Sequence, residues 1–303
     1  MTVGTSIGVQ SMVFKGRADV VPAPTTPTPV MPEPTVEGWP SLLNTPSPGA
    51  TDALGDDDMI EMDREDTTAT DEATSGLPEG LAMMMQRIDR AASNENINGV
   101  MRFYSDDLQH SDGITTKELE AMLTEFWEAY DDLDYSTEVT DWQVTDAGFI
   151  TTTITTVTGH KPFGTQRLTF QATVESSQVI RDRQIIEQDI LAESSQIQLG
   201  RTPPTVQVNL PSTVGPGETF YFDAIVLEPI GDSLLMGTAF SDPVSPETYR
   251  TVPSLDVGVL GAGGLFKVGD ASLEPGQEWV SGLLFREDGI TGITQRLRIV
   301  RDR

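Results

Sequence analysis

Two carboxylates, Glu187 and Asp189, have a spacing that acid–base chemistry could use. Alternate residues of a β-strand point to the same side, so these two carboxylates share one face of a predicted strand. They form either an acid pair inside a cavity or a solvated surface that pairs with Arg181 and Arg183. The two nearby arginines favour the solvated surface.

The chain has two histidines, His110 and His160, and no cysteine. The absence of cysteine excludes disulfides, thiolate catalysis and cysteine-ligated metal sites. His110 lies in a polar sequence that predicts a surface loop, which favours a solvated histidine over a general base. We therefore expect no catalytic residue set, no bound metal and no cofactor.

The composition is strongly acidic, with 47 Asp and Glu against 19 Lys and Arg and a formal net charge of −28. Such a charge disfavours nucleic-acid binding and direct binding to anionic membranes, because both need clustered Lys and Arg. The sequence has no run of about 18 apolar residues, so it predicts no transmembrane helix. Lys15 and Arg17 come after a weak apolar stretch, whereas a signal peptide has its positive charges before its apolar core. We expect a cytoplasmic protein, or an extracytoplasmic one if the start site is misassigned.

The chain changes character near residue 80. Residues 1–80 contain ten of the twenty prolines and an acidic stretch that includes Asp56–Asp58, which predicts a disordered tail. The acidic stretch lacks the spacing of a calcium-binding loop, so it predicts a solvated charge run. The remainder predicts a domain at 81–200, a short linker, and a second domain at 203–303.

Residues 81–200 predict helices followed by strands. The apolar residues Leu81–Ile88, Ile97–Leu108 and Leu119–Tyr130 recur with helical period, and Thr115 with Glu118 forms a capping box before the third helix. The pattern then changes to the alternation of strands at 135–144, 149–158, 167–174 and 179–191. Together they predict an α+β domain in which helices pack on a curved antiparallel sheet.

This order of elements resembles the NTF2-like superfamily, the cone-shaped fold of nuclear transport factor 2, ketosteroid isomerase and SnoaL-type cyclases. The resemblance rests on the string FYSDD at Phe103–Asp107, on the middle strands FITTTITTVTG and QRLTFQATVE, and on the closing strand Ile185–Ile190. It covers residues 81–200. It implies a conical cavity between helices and sheet, and dimerisation across the outer face of the sheet.

Isomerases and cyclases of this family use an acid or base inside the cone. The resemblance makes Asp107, His110, Glu187 and Asp189 the candidates, although no catalytic set of the family maps residue by residue onto this chain. Tyr104 and Trp127 lie on the apolar stripes, so we expect them to be core residues. The predicted lining of the cone, taken together, is Tyr104, Asp107, Trp127, Trp142, Glu187 and Asp189.

Residues 203–303 predict short strands separated by Pro-Gly and Asp-Gly turns. About 100 residues of this kind resemble an immunoglobulin-like β-sandwich, without the cysteine pair that defines antibody domains. Phe222 and Val214 are expected to point inward, and Trp279 is expected to anchor the core.

The leading hypothesis is a non-enzymatic protein-binding or assembly protein, of bacterial character, that forms a homodimer through its NTF2-like sheet. One alternative is a carrier of a small apolar ligand in the cone. A second alternative is a SnoaL-like isomerase, cyclase or hydratase. We expect the protein not to be an enzyme.

Overall fold

The third predicted helix begins where the sequence has a matching signal. The computed structural model describes residues 76–229, 231, 234–250, 255–261 and 263–301, all within one compact unit. The predicted disordered tail lies, up to residue 75, outside the described residues. Helix α3 begins after the capping box, in which the side chain of Thr115 accepts from the backbone N–H of Glu118. The α-helices are α1 Glu79–Ser93, α2 Ile97–Met101 and α3 Thr116–Ala129, and Thr248–Arg250 forms a 3-10 helix.

Thirteen strands make up most of the described residues. In chain order they are β1 Tyr104–His110, β2 Asp131–Thr145, β3 Gly148–Phe163, β4 Gln166–Arg181, β5 Gln184–Gly200, β6 Val206–Asn209, β7 Thr213–Val214, β8 Thr219–Val226, β9 Met236–Pro243, β10 Gly258–Val259, β11 Gly264–Asp270, β12 Gly276–Arg286 and β13 Gly289–Ile299. The fold is therefore mostly sheet with few helices, and most of the strand pairs are antiparallel.

A ten-stranded sheet runs through the described chain in the order β10-β9-β12-β13-β5-β4-β3-β2, with β1 parallel to β5 and β7 parallel to β13. A smaller sheet has the order β11-β8-β6. Strands β5 and β13 pair from Ser194 to Gly200, so the large sheet is continuous across residue 200. That residues 81–200 and 203–303 are separate domains stays a prediction.

The helices pack on one face of β2–β5, which we call the inner face; the opposite face is the outer face. Trp127 of α3 donates its indole N–H to the hydroxyl of Tyr135 on β2 at 3.0 Å. Asp89 of α1 accepts from the backbone N–H and the hydroxyl of Thr137. The rings of Phe126, Tyr130 and Phe170 contact one another, with centroids at most 5.4 Å apart. Burial of these aromatic side chains holds the helices on the sheet.

A second apolar core lies between the small sheet and the outer side of β12 and β13. Phe222, Val280, Leu284 and Leu297 are fully buried there. The expected inward position of Phe222 is confirmed, and Trp279, on the other side of β12, is a buried anchor as predicted. The far side of the small sheet is exposed and carries Tyr221, Phe266 and Val268.

The predicted second helix is wrong beyond its first turns. Helix α2 ends at Met101, and Tyr104–His110 forms strand β1 instead. The reason is tertiary, because Tyr104 and His110 pair with Ile185 and Gln188 of β5. His110 therefore ends a strand and is half-buried, so its predicted place in a surface loop is also wrong.

The predicted strand at 179–191 is two strands. Residues up to Arg181 belong to β4, and β5 begins at Gln184. Asp182 and Arg183 form the turn between them with φ of 50° and 64°. Two consecutive positive φ values are the signature of a type I′ turn, which normally uses Asn and Gly. The sequence Asp-Arg gave no such signal.

Candidate functional site

A buried ionic cluster joins parts of the chain that are distant in sequence. Arg296 of β13 donates from Nη1 and Nη2 to the two carboxylate oxygens of Asp112, at 2.9 and 3.0 Å. Its Nε and Nη2 donate to Oε2 of Glu193 on β5, at 3.1 and 2.8 Å. The side chains of Arg296 and Asp112 are fully buried, and that of Glu193 is 1% exposed. One guanidinium thus serves two carboxylates.

Aromatic residues close this ionic cluster. Tyr249 of the 3-10 helix donates its hydroxyl to Oδ2 of Asp112 at 2.5 Å. Trp279 of β12 donates its indole N–H to Oε2 of Glu193 at 3.0 Å. The rings of Tyr249 and Trp279 meet edge to face with centroids 4.5 Å apart. Each carboxylate therefore accepts a neutral hydrogen bond in addition to its ion pair.

The two carboxylates of the ionic cluster respond to burial in opposite ways. Burial raises the pKa of Asp112, but the charge and hydrogen bonds of Arg296 outweigh it, so this pKa lies below its ordinary value of 3.8. Burial dominates at Glu193, whose pKa is raised above 4.5 despite Arg296 and Trp279. The pKa of the Arg296 guanidinium is raised, since the two carboxylates outweigh its burial. Asp112 and Arg296 are therefore the firmly ionised pair.

The ionic cluster can position elements, but its buried side chains are closed to a substrate. Asp112 lies between β1 and α3, so its bond to Arg296 fixes that connection against β13. The sequence analysis missed all three charged members. Asp112 belongs to the polar sequence that predicts a loop, and Arg296 lies within a predicted strand, so neither residue type marks an ion pair. No local signal identifies partners that are 184 residues apart.

Beside the ionic cluster, polar side chains cross the inner face in register; we call them the inner polar row. Trp142 pairs with Thr151, Thr151 with Gln178, Gln178 with Gln188, and Gln188 with His110. Residues opposite each other in a sheet share a face. Thr151, Gln178 and Gln188 are at most 2% exposed, whereas Trp142 and His110 at the two ends are half-buried.

The inner polar row has hydrogen-bonding capacity to spare. Among the described residues, there is no hydrogen-bond partner for Oγ1 of Thr151, for Oε1 of Gln178 or for either amide atom of Gln188. Burial lowers the pKa of His110 below 6.5, and its Nδ1 accepts the backbone N–H of Asp112 at 3.1 Å. Buried polar groups normally pair with protein, water or ligand. The inner polar row therefore contains buried polar atoms that no described residue pairs with, and neutral His110 lies at its edge.

The structure brings together three of the six predicted lining residues on the inner face. Tyr104 is 2% exposed and Trp127 is 6% exposed, and both pack in the main apolar core, as the apolar stripes predict. Trp142 is the half-buried end of the inner polar row. That these three residues contact a ligand stays a prediction.

The three predicted carboxylates do not join that group. Asp107 on β1 and Glu187 on β5 are exposed. Asp189 is half-buried and pairs with Arg298 at 3.5 Å. This partner differs from the expected Arg181 and Arg183, because β13 passes beside β5 in the fold. The geometry fits the solvated surface better than an acid pair, since the side chain of Glu187 is exposed and that of Asp189 is 46% exposed.

The described residues contain no group of three or more His, Asp or Glu side chains placed to hold a metal ion. Within the same residues, none of the helices is both long enough and apolar enough to span a membrane.

Comparison with known proteins gives one family model and several solved structures of similar fold. The model of a domain of unknown function, DUF8623, matches residues 201–300. No curated protein matches this chain. Solved structures with a similar fold include proteins of the ketosteroid isomerase and SnoaL type, and each is aligned to less than two fifths of this chain.

A hypothetical protein of ketosteroid isomerase-like fold from Catenulispora acidiphila is 12% identical over 38% of this chain and 85% of its own, with a TM-score of 0.29. A candidate SnoaL-like polyketide cyclase from Shewanella putrefaciens is 11% identical over 38% and 90%, with a TM-score of 0.30. The Δ5-3-ketosteroid isomerase from Mycobacterium sp. is 12% identical over 36% and 89%, with a TM-score of 0.27. These neighbours are of the NTF2-like type that the sequence resembles. Similarity at this level says nothing about activity.

Proposed function

We propose that this chain is a non-enzymatic protein-binding protein that self-associates through the outer face of β3 and β4. The observation that carries the proposal is the low charge of this surface in a chain of net charge −28. Two copies of so acidic a protein repel each other, and they can approach most easily where carboxylates are few.

The outer face of β3 and β4 is built by the alternation of their residues. Side chains at Ile150, Thr152, Ile154, Thr156 and Thr158 point outward from β3, opposite to the buried Thr151, Thr153 and Thr155. Their partners on β4 are Val179, Ser177, Glu175, Thr173 and Gln171. Glu175 is the single carboxylate among these ten, and Asp134, Glu138 and Asp141 of β2 stand at the border. The surface thus presents methyl, hydroxyl and amide groups with one charge.

The non-enzymatic part is supported by the positions of the acid–base candidates. General acid–base catalysis needs a carboxylate or imidazole in a partly dry site. Asp107 and Glu187 are exposed, and Asp189 is engaged with Arg298. The fourth candidate, His110, is half-buried, and its Nδ1 already accepts the backbone N–H of Asp112. We also interpret the fold as an NTF2-like unit followed by an immunoglobulin-like sandwich, in which β12 and β13 extend the sheet of the first unit.

The test introduces charge into the outer face. Thr152→Glu places a carboxylate at the centre of the proposed contact, while Gln86→Glu places the same charge on the exposed side of α1. We expect light scattering coupled to gel filtration to give a dimer mass for the wild type and Gln86→Glu, and a monomer mass for Thr152→Glu. Asp107→Asn and Glu187→Gln should leave the mass unchanged. A dimer that survives Thr152→Glu and also Thr156→Glu contradicts the proposal.

A second candidate function is that of a carrier for a small, largely apolar ligand. It is favoured by the inner polar row, where both amide atoms of Gln188 lack a partner among the described residues. Trp142 would contact the apolar part of such a ligand. Native mass spectrometry of protein purified from its own source tests it: an added mass that is lost in Gln188→Leu supports the carrier, and a bare mass opposes it.

A further inference from the structure

A cleft between α1 and α2 is lined by three arginines. Arg87 and Arg90 of α1 and Arg102 at the end of α2 border a cavity of about 420 Å³, together with Ala91, Asn94, Asn96 and Gly99. None of the lining residues is acidic. In a chain with 47 acidic and 19 basic residues, this Arg cleft locally reverses the overall charge.

The charges of the Arg cleft are not neutralised within the described part of the chain. Arg87, Arg90 and Arg102 have no carboxylate within ion-pair distance there. Asp89 lies between two of them in sequence, but its carboxylate is bonded to the backbone N–H and hydroxyl of Thr137 on β2. Within the described residues, therefore, each guanidinium has donors left for another partner.

Local packing orders the Arg cleft. Residues three apart in a helix lie on one side, so Arg87 and Arg90 are neighbours. The guanidinium of Arg102 lies 4.7 Å from the centroid of the Phe103 ring, a cation–π contact that limits its motion. Asn96 accepts the backbone N–H of Gly99 at 2.9 Å through Oδ1, which leaves its NH₂ group as a further donor.

We propose that the Arg cleft binds the phosphate group of a small phosphorylated molecule. A guanidinium fork matches two oxygens of a phosphate, and three forks suit a doubly charged tetrahedral anion. A single carboxylate would be neutralised by one arginine and leave two unused. The cleft, at about 420 Å³, is larger than a phosphate group needs, so it also accommodates part of the organic moiety.

Calorimetric titration of the full chain with pyrophosphate tests this site. We expect saturable binding, weakened about tenfold by Arg90→Gln and again by Arg102→Gln, because each removes a charge-assisted pair. The matched control is Arg181→Gln, an exposed arginine at the end of β4, which should bind as the wild type does. Binding that is absent, or equal in all variants, overturns the proposal.

A variant of unchanged charge separates a shaped site from diffuse attraction. A Cβ at Gly99 would lie 2.8 Å from Nδ2 of Asn96, so Gly99→Ala narrows the Arg cleft while keeping all three arginines. Weaker pyrophosphate binding in Gly99→Ala supports a shaped site, and unchanged binding contradicts it.

A second experiment uses phosphatidylcholine vesicles that contain phosphatidic acid. Vesicle binding that requires Arg90 assigns the phosphate to a lipid headgroup. We expect no vesicle binding, since the net charge repels an anionic surface. This site is independent of self-association.

Discussion

Arg296 and Asp112 lie 184 residues apart in the chain and form a two-pronged ion pair in which both side chains are fully buried. Through this pair the connection before α3 is fixed to β13. The two segments that the sequence divides near residue 200 are therefore linked by buried charge as well as by a shared sheet.

Loss of Arg296 should destabilise the fold severely. Arg296→Met leaves Asp112 and Glu193 buried without their cation, which we expect to lower the free energy of unfolding by about 3–5 kcal/mol. Urea denaturation followed by tryptophan fluorescence measures the change. The exposed pair of Arg167 and Asp132 is the control, and Arg167→Met should cost less than about 1 kcal/mol. Similar losses in the two variants would contradict the role of the ionic cluster.

The ionic cluster should make stability depend on pH in a defined direction. The lowered pKa of Asp112 means that its contribution is present above pH 3.8 and is lost as the pH falls below that value. The raised pKa of Glu193 acts in the opposite sense, because the folded state takes up its proton more readily. We therefore expect Glu193→Gln to lose stability more steeply in acid than the wild type. Denaturation midpoints measured from neutral pH down to pH 4.5 check this, because Glu193 takes up its proton above that value in the folded state, and parallel pH curves in that range would contradict it.

The hydrogen bond between Trp127 and Tyr135 should stabilise the contact of α3 with the sheet. Tyr135→Phe keeps the ring but leaves the buried indole N–H of Trp127 without its acceptor at 3.0 Å. We expect a loss of about 1–3 kcal/mol in the free energy of unfolding. Tyr221→Phe removes a hydroxyl from a side chain that is exposed, and it should change stability by less than about 0.5 kcal/mol. Equal effects of the two substitutions would show that the buried bond contributes nothing.

The turn between β4 and β5 should improve with glycine. Arg183 has φ of 64°, a left-handed conformation that disfavours residues with a Cβ. Arg183→Gly should therefore raise the free energy of unfolding by up to about 1 kcal/mol, because the relief of strain exceeds the added entropy of the unfolded chain. Thermal denaturation measures the shift. A lower melting temperature would show that the Arg183 side chain makes a stabilising contact.

Periodicity and caps in the sequence predict α1, α3 and strands β2 to β4. They fail at Tyr104–His110, where a helical spacing of apolar residues coincides with a strand that exists only because β5 lies beside it. They fail again at Asp182 and Arg183, whose types do not mark a turn. Local sequence carries no information about such partners.

The candidate site was less accessible to prediction than the fold. Tyr104 and Trp127 could be assigned to the core because they continue apolar stripes. Asp112 and Arg296 look solvated in sequence, and only the tertiary fold brings them together. Gln178 and Gln188 also give no signal, since their alignment in the inner polar row depends on the register of β4 with β5.

Sedimentation velocity of the full wild-type chain over a range of concentrations tests the central claim most directly. Self-association through the outer face of β3 and β4 predicts a species of twice 32.9 kDa whose share rises with concentration. Added salt should increase that share, because it screens the repulsion between the two acidic chains. A single species of 32.9 kDa at every concentration and salt level would contradict the account.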